Sequence, residues 1–125
     1  MKAILVDTDI LIEILRGHND EIALRWAELV ESETLLFYSP VTAAEVFHGI
    51  RPSEQSGLEM RLQELTCVPL DCEVGRRSGE YLRRFHGSHN LETADALIAS
   101  TASVHGMQLW TRNRKHFPMK DIALL

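Results

Sequence analysis

The chain has 125 residues, 45% hydrophobic and 25% charged, with 18 Asp and Glu against 13 Lys and Arg for a net charge of −5. That length suits one domain (residues 1–125) with a buried core, and the composition excludes collagen-like, disordered and disulfide-scaffold chains. An acidic total also counts, at face value, against nucleic acid, whose phosphates usually select a basic surface.

In chain order, Ala3-Ile4-Leu5-Val6 predicts a short buried strand closed by Asp7. Residues 8–16 predict a helix carrying Ile10, Leu11, Ile14 and Leu15 and ended by Gly17. Asp20 is placed to cap a second helix with Ile22, Trp26, Leu29 and Val30 on its apolar face. Residues 35–38 read as a second strand, and Ser39-Pro40 opens a helix to about Ile50, with proline where the first turn lacks an N–H partner anyway. A helix over about 54–65, a third strand over 66–70 and a long helix from Asp71 to about His86 follow. Pro69 marks that strand as ending early or lying at an edge. A last helix at 93–105 stops at Gly106, before a fourth strand at 107–111 and a short fifth at 122–124. Strands alternating with helices predict an α/β sandwich on a largely parallel sheet of four to five strands.

The leading apolar run is too short for a secretory leader, and no stretch reaches the length of a membrane span. Cys67 and Cys72 lack a second pair or a histidine at zinc-finger spacing and read as free thiols. The expectation is a cytoplasmic chain with no membrane partner.

In parallel α/β sheets, chemistry gathers at the carboxyl ends of strands. Asp7 stands there, with Asp9 two residues on. Glu45 lies in the first turns of the helix after the second strand, Asp95 opens the helix before the fourth, and Thr111-Arg112-Asn113 follows that strand. Parallel neighbours would bring Asp7, Glu45 and Asp95 to one edge, where like charge and lost hydration oppose ionisation. A hard divalent cation, Mg²⁺ or Mn²⁺, would resolve that conflict, and the expected chemistry is metal-assisted hydrolysis of a phosphate ester. Structural readings stand beside this one. Thr42-x-x-Glu45 matches a capping box, Asp95 complements a helix dipole, and Asp9 suits an N-cap. Asp7 is harder to dismiss, since an acid ending a buried strand brings no packing benefit.

Four segments in order carry a resemblance that spans nearly the whole chain. They are Ile4-Leu5-Val6-Asp7-Thr8-Asp9-Ile10-Leu11-Ile12, Ser39-Pro40-Val41-Thr42-Ala43-Ala44-Glu45-Val46, Thr93-Ala94-Asp95-Ala96-Leu97-Ile98-Ala99-Ser100-Thr101-Ala102 and Leu109-Trp110-Thr111-Arg112-Asn113-Arg114-Lys115-His116-Phe117. Together they resemble the PIN-domain ribonucleases, in particular the VapC-type toxins of type II toxin–antitoxin pairs. The resemblance implies a PIN-like three-layer sandwich and a Mg²⁺-dependent endoribonuclease, acting on transfer or ribosomal RNA through metal-activated water. It further implies a homodimer blocked by a small antitoxin protein. By the same resemblance Asp7, Glu45 and Asp95 are the catalytic, metal-site acids, with Asp7 and Asp95 the direct ligands and Glu45 completing the pocket. Thr8, Asp9, Thr111 and Asn113 support the site, Asn113 standing where many relatives carry a fourth acid. Arg112, Arg114, Lys115 and His116 would contact RNA, His116 replacing an aspartate found in some relatives.

Two other families share the first strand and its acid. Asp7-x-Asp9 also resembles the haloacid dehalogenase-type phosphatases, with Asp7 as nucleophile, but Leu11 stands where those carry Thr or Val. A receiver-like signalling module would need Asp71 as phosphoacceptor at the end of a central strand, which Pro69 disfavours. A catalytically silent PIN fold that only binds RNA or antitoxin is the remaining alternative.

Charge is unevenly spread: residues 1–75 hold five Lys or Arg against fourteen acids, and residues 76–125 hold eight against four. If Asp7, Asp9, Glu45, Glu92 and Asp95 line one pocket, the rest of the chain is neutral. The acidity then belongs to a cation site, and the basic C-terminal portion is free to face phosphate.

Overall fold

The structure of the protein, a computed structural model, describes residues 2–125. Its strands are β1 (Ala3–Val6), β2 (Leu35–Tyr38), β3 (Thr66–Cys67) and β4 (Gln108–Trp110). They form one all-parallel sheet in the order β3-β2-β1-β4. The helices are α1 (Thr8–Arg16), α2 (Asp20–Glu31), α3 (Pro40–Gly49), α4 (Gln55–Leu62), α5 (Cys72–His89) and α6 (Thr93–His105).

β1 is apolar throughout because a central parallel strand is covered on both faces. Leu5 points into a core with Leu109, Tyr81 of α5 and Ala96, Ile98, Ala99 and Ala102 of α6. Ile4 and Val6 point the other way, into a core with Leu36, Ile10 and Leu11 of α1, Trp26 of α2, Val46 of α3 and Leu58 of α4. Full burial of one such side chain contributes about 1.5–3 kcal/mol. The result is the three-layer α/β sandwich expected, with sheet between two helical layers.

α5 and α6 pack through small residues. Ser78 Oγ and Ser100 Oγ lie 2.7 Å apart in the interior, Ser100 donating to the Ala96 carbonyl and Ser78 to Ser100 or to the Val74 carbonyl 2.9 Å away. Serines are tolerated there because every hydroxyl finds an acceptor.

Several element ends differ from the sequence reading. Asn19, not Asp20, caps α2, its side chain accepting the Ile22 N–H at 3.0 Å. Val30 is 40% exposed, so the apolar face of α2 is narrower than expected. A short 3₁₀ turn, Pro52–Glu54, precedes α4. α5 runs on to His89 because Asn90 adopts the left-handed cap conformation (φ 53°). β3 has two residues rather than five, since Pro69 cannot donate to the ladder. The fifth strand shrinks to a single bridge from Leu124 to Leu109. Asp71 caps α5 by accepting the Val74 N–H at 2.9 Å, so it ends no central strand and the receiver-type reading fails. Cys67 and Cys72 are free and exposed, as expected. Among the described residues, no helix is long and apolar enough to cross a membrane.

Candidate functional site

With β1 between β2 and β4, the carboxyl ends of these parallel strands share one edge, and the chain after each turns into or away from a helix there. Asp7 ends β1 and is the N-cap of α1, only 7% exposed. Its backbone N–H donates to the Trp110 carbonyl at 2.9 Å, tying it to the end of β4. Its Oδ1 accepts the Thr8 N–H at 2.8 Å and its Oδ2 the Thr111 hydroxyl at 2.7 Å.

Asp9 is not the N-cap, as one sequence reading had it; it sits in the first turn of α1 and reaches across to the loop after β4. Its Oδ2 accepts the Arg112 backbone N–H at 3.0 Å and lies 3.4 Å from the Thr111 hydroxyl. A hydroxyl has one hydrogen, so the shorter bond to Asp7 takes it. Asp9 Oδ1 is buried with no hydrogen-bond partner among the described residues. The Thr111 oxygen in turn accepts the Asn113 N–H at 3.0 Å.

Two further knots join this one. Thr8 donates its hydroxyl to Glu45 Oε1 at 2.7 Å, with the buried Thr42 hydroxyl 3.1 Å away. Ser39, not Thr42, caps α3, so Glu45 closes no capping box and its exposed side chain is free to reach the edge. On the other side, Asp95 in the first turn of α6 has Oδ2 3.4 Å from His116 Nδ1, which lies 3.0 Å from Asn113 Nδ2. Glu92 is the N-cap residue of α6 but makes no side-chain cap bond.

Burial pushes the Asp7 carboxyl up to about 7, with the negative charges of Asp9 and then Asp95 adding to it and the Thr111 and Thr8 bonds opposing. Burial likewise raises Asp9, against the Arg112 N–H. Among the described residues, no Lys or Arg forms an ion pair with Asp7, Glu45 or Asp95. An acidic cluster of oxygen donors, one carboxylate oxygen unpartnered and no lysine or arginine paired with Asp7, Glu45 or Asp95 among the described residues, fits a hard divalent ion. The three carboxylates do not, however, close into a cage. Among the described residues, no three His, Cys, Asp or Glu side chains converge as a ready-made cation site. Glu45 is drawn to Thr8 instead, and the charge felt at Asp7 comes from Asp9 and Asp95. An open arrangement of one or two carboxylates is what Mg²⁺ needs, because it dehydrates reluctantly and keeps several waters.

The basic segment is mostly engaged. Arg112 pairs with Glu13 at 3.1 Å and Arg114 donates to the Leu125 carbonyl at 2.9 Å, whereas Lys115 is exposed. Glu13 is a residue that sequence reasoning missed. It lies one turn beyond Asp9 on α1, and that i, i+4 spacing was the available signal.

The PIN domain family model matches residues 4–123. Ribonuclease VapC10 of Mycobacterium tuberculosis is 39% identical over 118 residues, covering 93% of this chain and 86% of the relative. Among solved structures, a toxin-antitoxin complex from Klebsiella pneumoniae superposes with TM-score 0.76 at 26% identity, covering 95% of this chain and 94% of that one. VapBC2 from Rickettsia felis, bound to a promoter DNA fragment, shares the fold with TM-score 0.80 at 22% identity, covering 98% and 97%. The family model and the curated relative each span nearly all of the sheet and helices that carry the acidic edge, and on that ground the chain belongs to the PIN-domain family, within its VapC-type ribonuclease branch.

Proposed function

We propose that this chain works as a single PIN domain that is the toxin of a type II toxin–antitoxin pair, a divalent-metal-dependent endoribonuclease cutting transfer or ribosomal RNA. The observation that carries the proposal is the buried Asp7 carboxylate, held between Thr8 and Thr111 with Asp9 and Asp95 as charged neighbours and, among the described residues, no basic side chain paired with it. Kinship with a VapC ribonuclease and with a toxin-antitoxin complex supports the toxin assignment and an antitoxin partner.

Asp7 and Asp95 would hold the ion, Mg²⁺ or Mn²⁺. When bound, it lowers the pKa of water and offsets charge on the reacting phosphate. Thr111 orients Asp7 by donating to Oδ2 and favours its ionised form against burial, and the Thr8 N–H does the same at Oδ1. Glu45, anchored through one oxygen by Thr8, keeps the other to orient a water for in-line attack on the phosphodiester. Asp9 and Asn113 hold the loop after β4, which presents Arg112, Arg114, Lys115 and His116 toward RNA phosphates.

The test is purified chain, free of antitoxin, incubated with total transfer and ribosomal RNA. Discrete cleavage, lost on adding EDTA and in Asp7→Ala, is the expected result. No cleavage with either Mg²⁺ or Mn²⁺ would overturn the nuclease reading in favour of a binding module, and phosphate transfer to Asp7 from a small phosphoester would make it a phosphatase.

A further inference from the structure

Resting on the reading of this chain as a ribonuclease, we propose that the C-terminal end of α5 is a second contact surface for the RNA, holding a single-stranded stretch beside the acidic edge. The helix divides by charge. Its first half mixes Arg76 and Arg77 with Glu73 and Glu80, whereas residues 81–89 hold Arg83, Arg84, His86 and His89 and no acid. All four are exposed, and among the described residues neither Arg83 nor Arg84 forms an ion pair. A helix dipole favours cations within the last turn. That accounts for His86 and His89 but not for two arginines a turn earlier.

The fold sets this end of α5 beside the site. Asn90 turns the chain in the left-handed conformation (φ 53°), and a short link with Leu91 fully buried leads into α6, which starts at Thr93 and carries Asp95 in its first turn. The two helices therefore run antiparallel. Ser78 Oγ lies 3.2 Å from the Ala96 carbonyl oxygen, level with the first turns of α6. At about 1.5 Å per residue, Arg83 to His89 stand about 8–16 Å farther along α5, whereas α6 extends only about 4–5 Å beyond Ala96. The last turns of α5 thus project past the start of α6, at the end of the molecule where Asp95 faces His116.

What projects there suits nucleotides and not charge alone. Arg84 Cζ lies 5.0 Å from the centroid of the Phe85 ring, and the His89 ring meets Phe85 edge-on with centroids 5.7 Å apart. Ser88 Oγ, 2.7 Å from His89 Nδ1, steadies that imidazole, and Phe85 is itself packed against the core. A guanidinium and an imidazole braced on one ring are planar groups of the kind on which unpaired bases stack. Arg83 stands next in the chain to take a phosphate. A duplex hides the faces of its bases, so this surface selects single-stranded RNA.

The experiment uses the full chain with cleavage blocked by Asp7→Asn. The probe is a fluorescent single-stranded RNA of about 12 nucleotides, free or annealed to its complement, with affinity read by anisotropy between 50 and 200 mM salt. Arg83→Gln with Arg84→Gln should weaken single-strand binding about tenfold and flatten the slope of log K against log salt by about 1.4, as two lost cations predict. Arg84→Lys keeps the charge without the planar group, and should lose about fivefold on the single strand, with the salt slope kept and the duplex little affected. Unchanged affinity and slope in these variants, with wild type cleaving total RNA, would overturn this surface alone. Equal losses of Arg84→Lys on single strand and duplex would overturn the stacking role. A changed sedimentation coefficient in place of changed RNA binding would make the surface a contact between copies of the chain, and overturn the inference too. Wild type that neither binds nor cleaves transfer and ribosomal RNA would overturn both this inference and the ribonuclease reading beneath it.

Discussion

At the scale of single residues, Asp7 is the buried acid whose titration burial shifts furthest toward neutral pH. Its carboxyl titrates near 7 in the metal-free fold and near 3.9 in an unfolded chain, so between those values the folded state binds the extra proton. The stability this lends is complete below about pH 4 and is lost as pH rises through about 7. In EDTA, the Tm of wild type should therefore carry a downward component between pH 4 and 8 that Asp7→Asn removes. Adding Mg²⁺ or Mn²⁺ at pH 8 should raise the wild-type Tm and leave the variant unchanged. Thr111 is the companion case. Thr111→Val removes the hydroxyl that donates to Asp7 Oδ2 and should lower RNA cleavage by about 10–100-fold, while Thr111→Ser keeps the donor and most of the activity.

Among elements, the pairing of α5 with α6 and the cap of α6 place the second half of the site. α6 ends at Gly106 with φ 65°, a left-handed conformation that lets the chain turn directly into β4. Gly106→Ala adds a Cβ to that conformation and should cost about 1 kcal/mol, read as a lower denaturant midpoint with unchanged slope. Tyr81 of α5 donates to Asp121 Oδ2 at 2.7 Å, and burial, the larger cause, pushes its phenol up to about 12. An unfolded tyrosine ionises near 10, so wild type loses stability as pH climbs from about 10 toward 12. Tyr81→Phe should remove that alkaline component from the Tm profile, while losing about 1 kcal/mol at neutral pH with the hydrogen bond.

For the whole molecule, the question is how a chain of net charge −5 meets RNA. Asp7, Asp9 and Asp95 lie together at one edge, and Lys115 with its neighbours Arg112 and Arg114 flanks that edge on the loop after β4. The double variant Arg114→Glu, Lys115→Glu should raise the KM for RNA about tenfold and flatten its dependence on salt between 50 and 200 mM, as lost phosphate contacts predict. Cleavage rates measured at both salt concentrations check this.

The order of elements, the buried central strand and the place of Asp7 at its end were legible in the sequence. Apolar runs ending in Asp7, or opening after Ser39-Pro40 and before Asp95, follow local periodicity and capping rules that act over a few residues. What local rules cannot reach is where side chains 21 to 104 positions apart in the chain meet. Tertiary structure alone decided that Asp9 clamps the Arg112 backbone rather than capping a helix, that Thr8 claims Glu45, and that His116 lands against Asp95. It also decided that the three expected carboxylates form an open edge rather than a closed cage. The reason is geometric: the sequence names the groups at the strand ends, but the parallel order β3-β2-β1-β4 sets their spacing, and a few ångströms separate a hydrogen bond from a metal ligand.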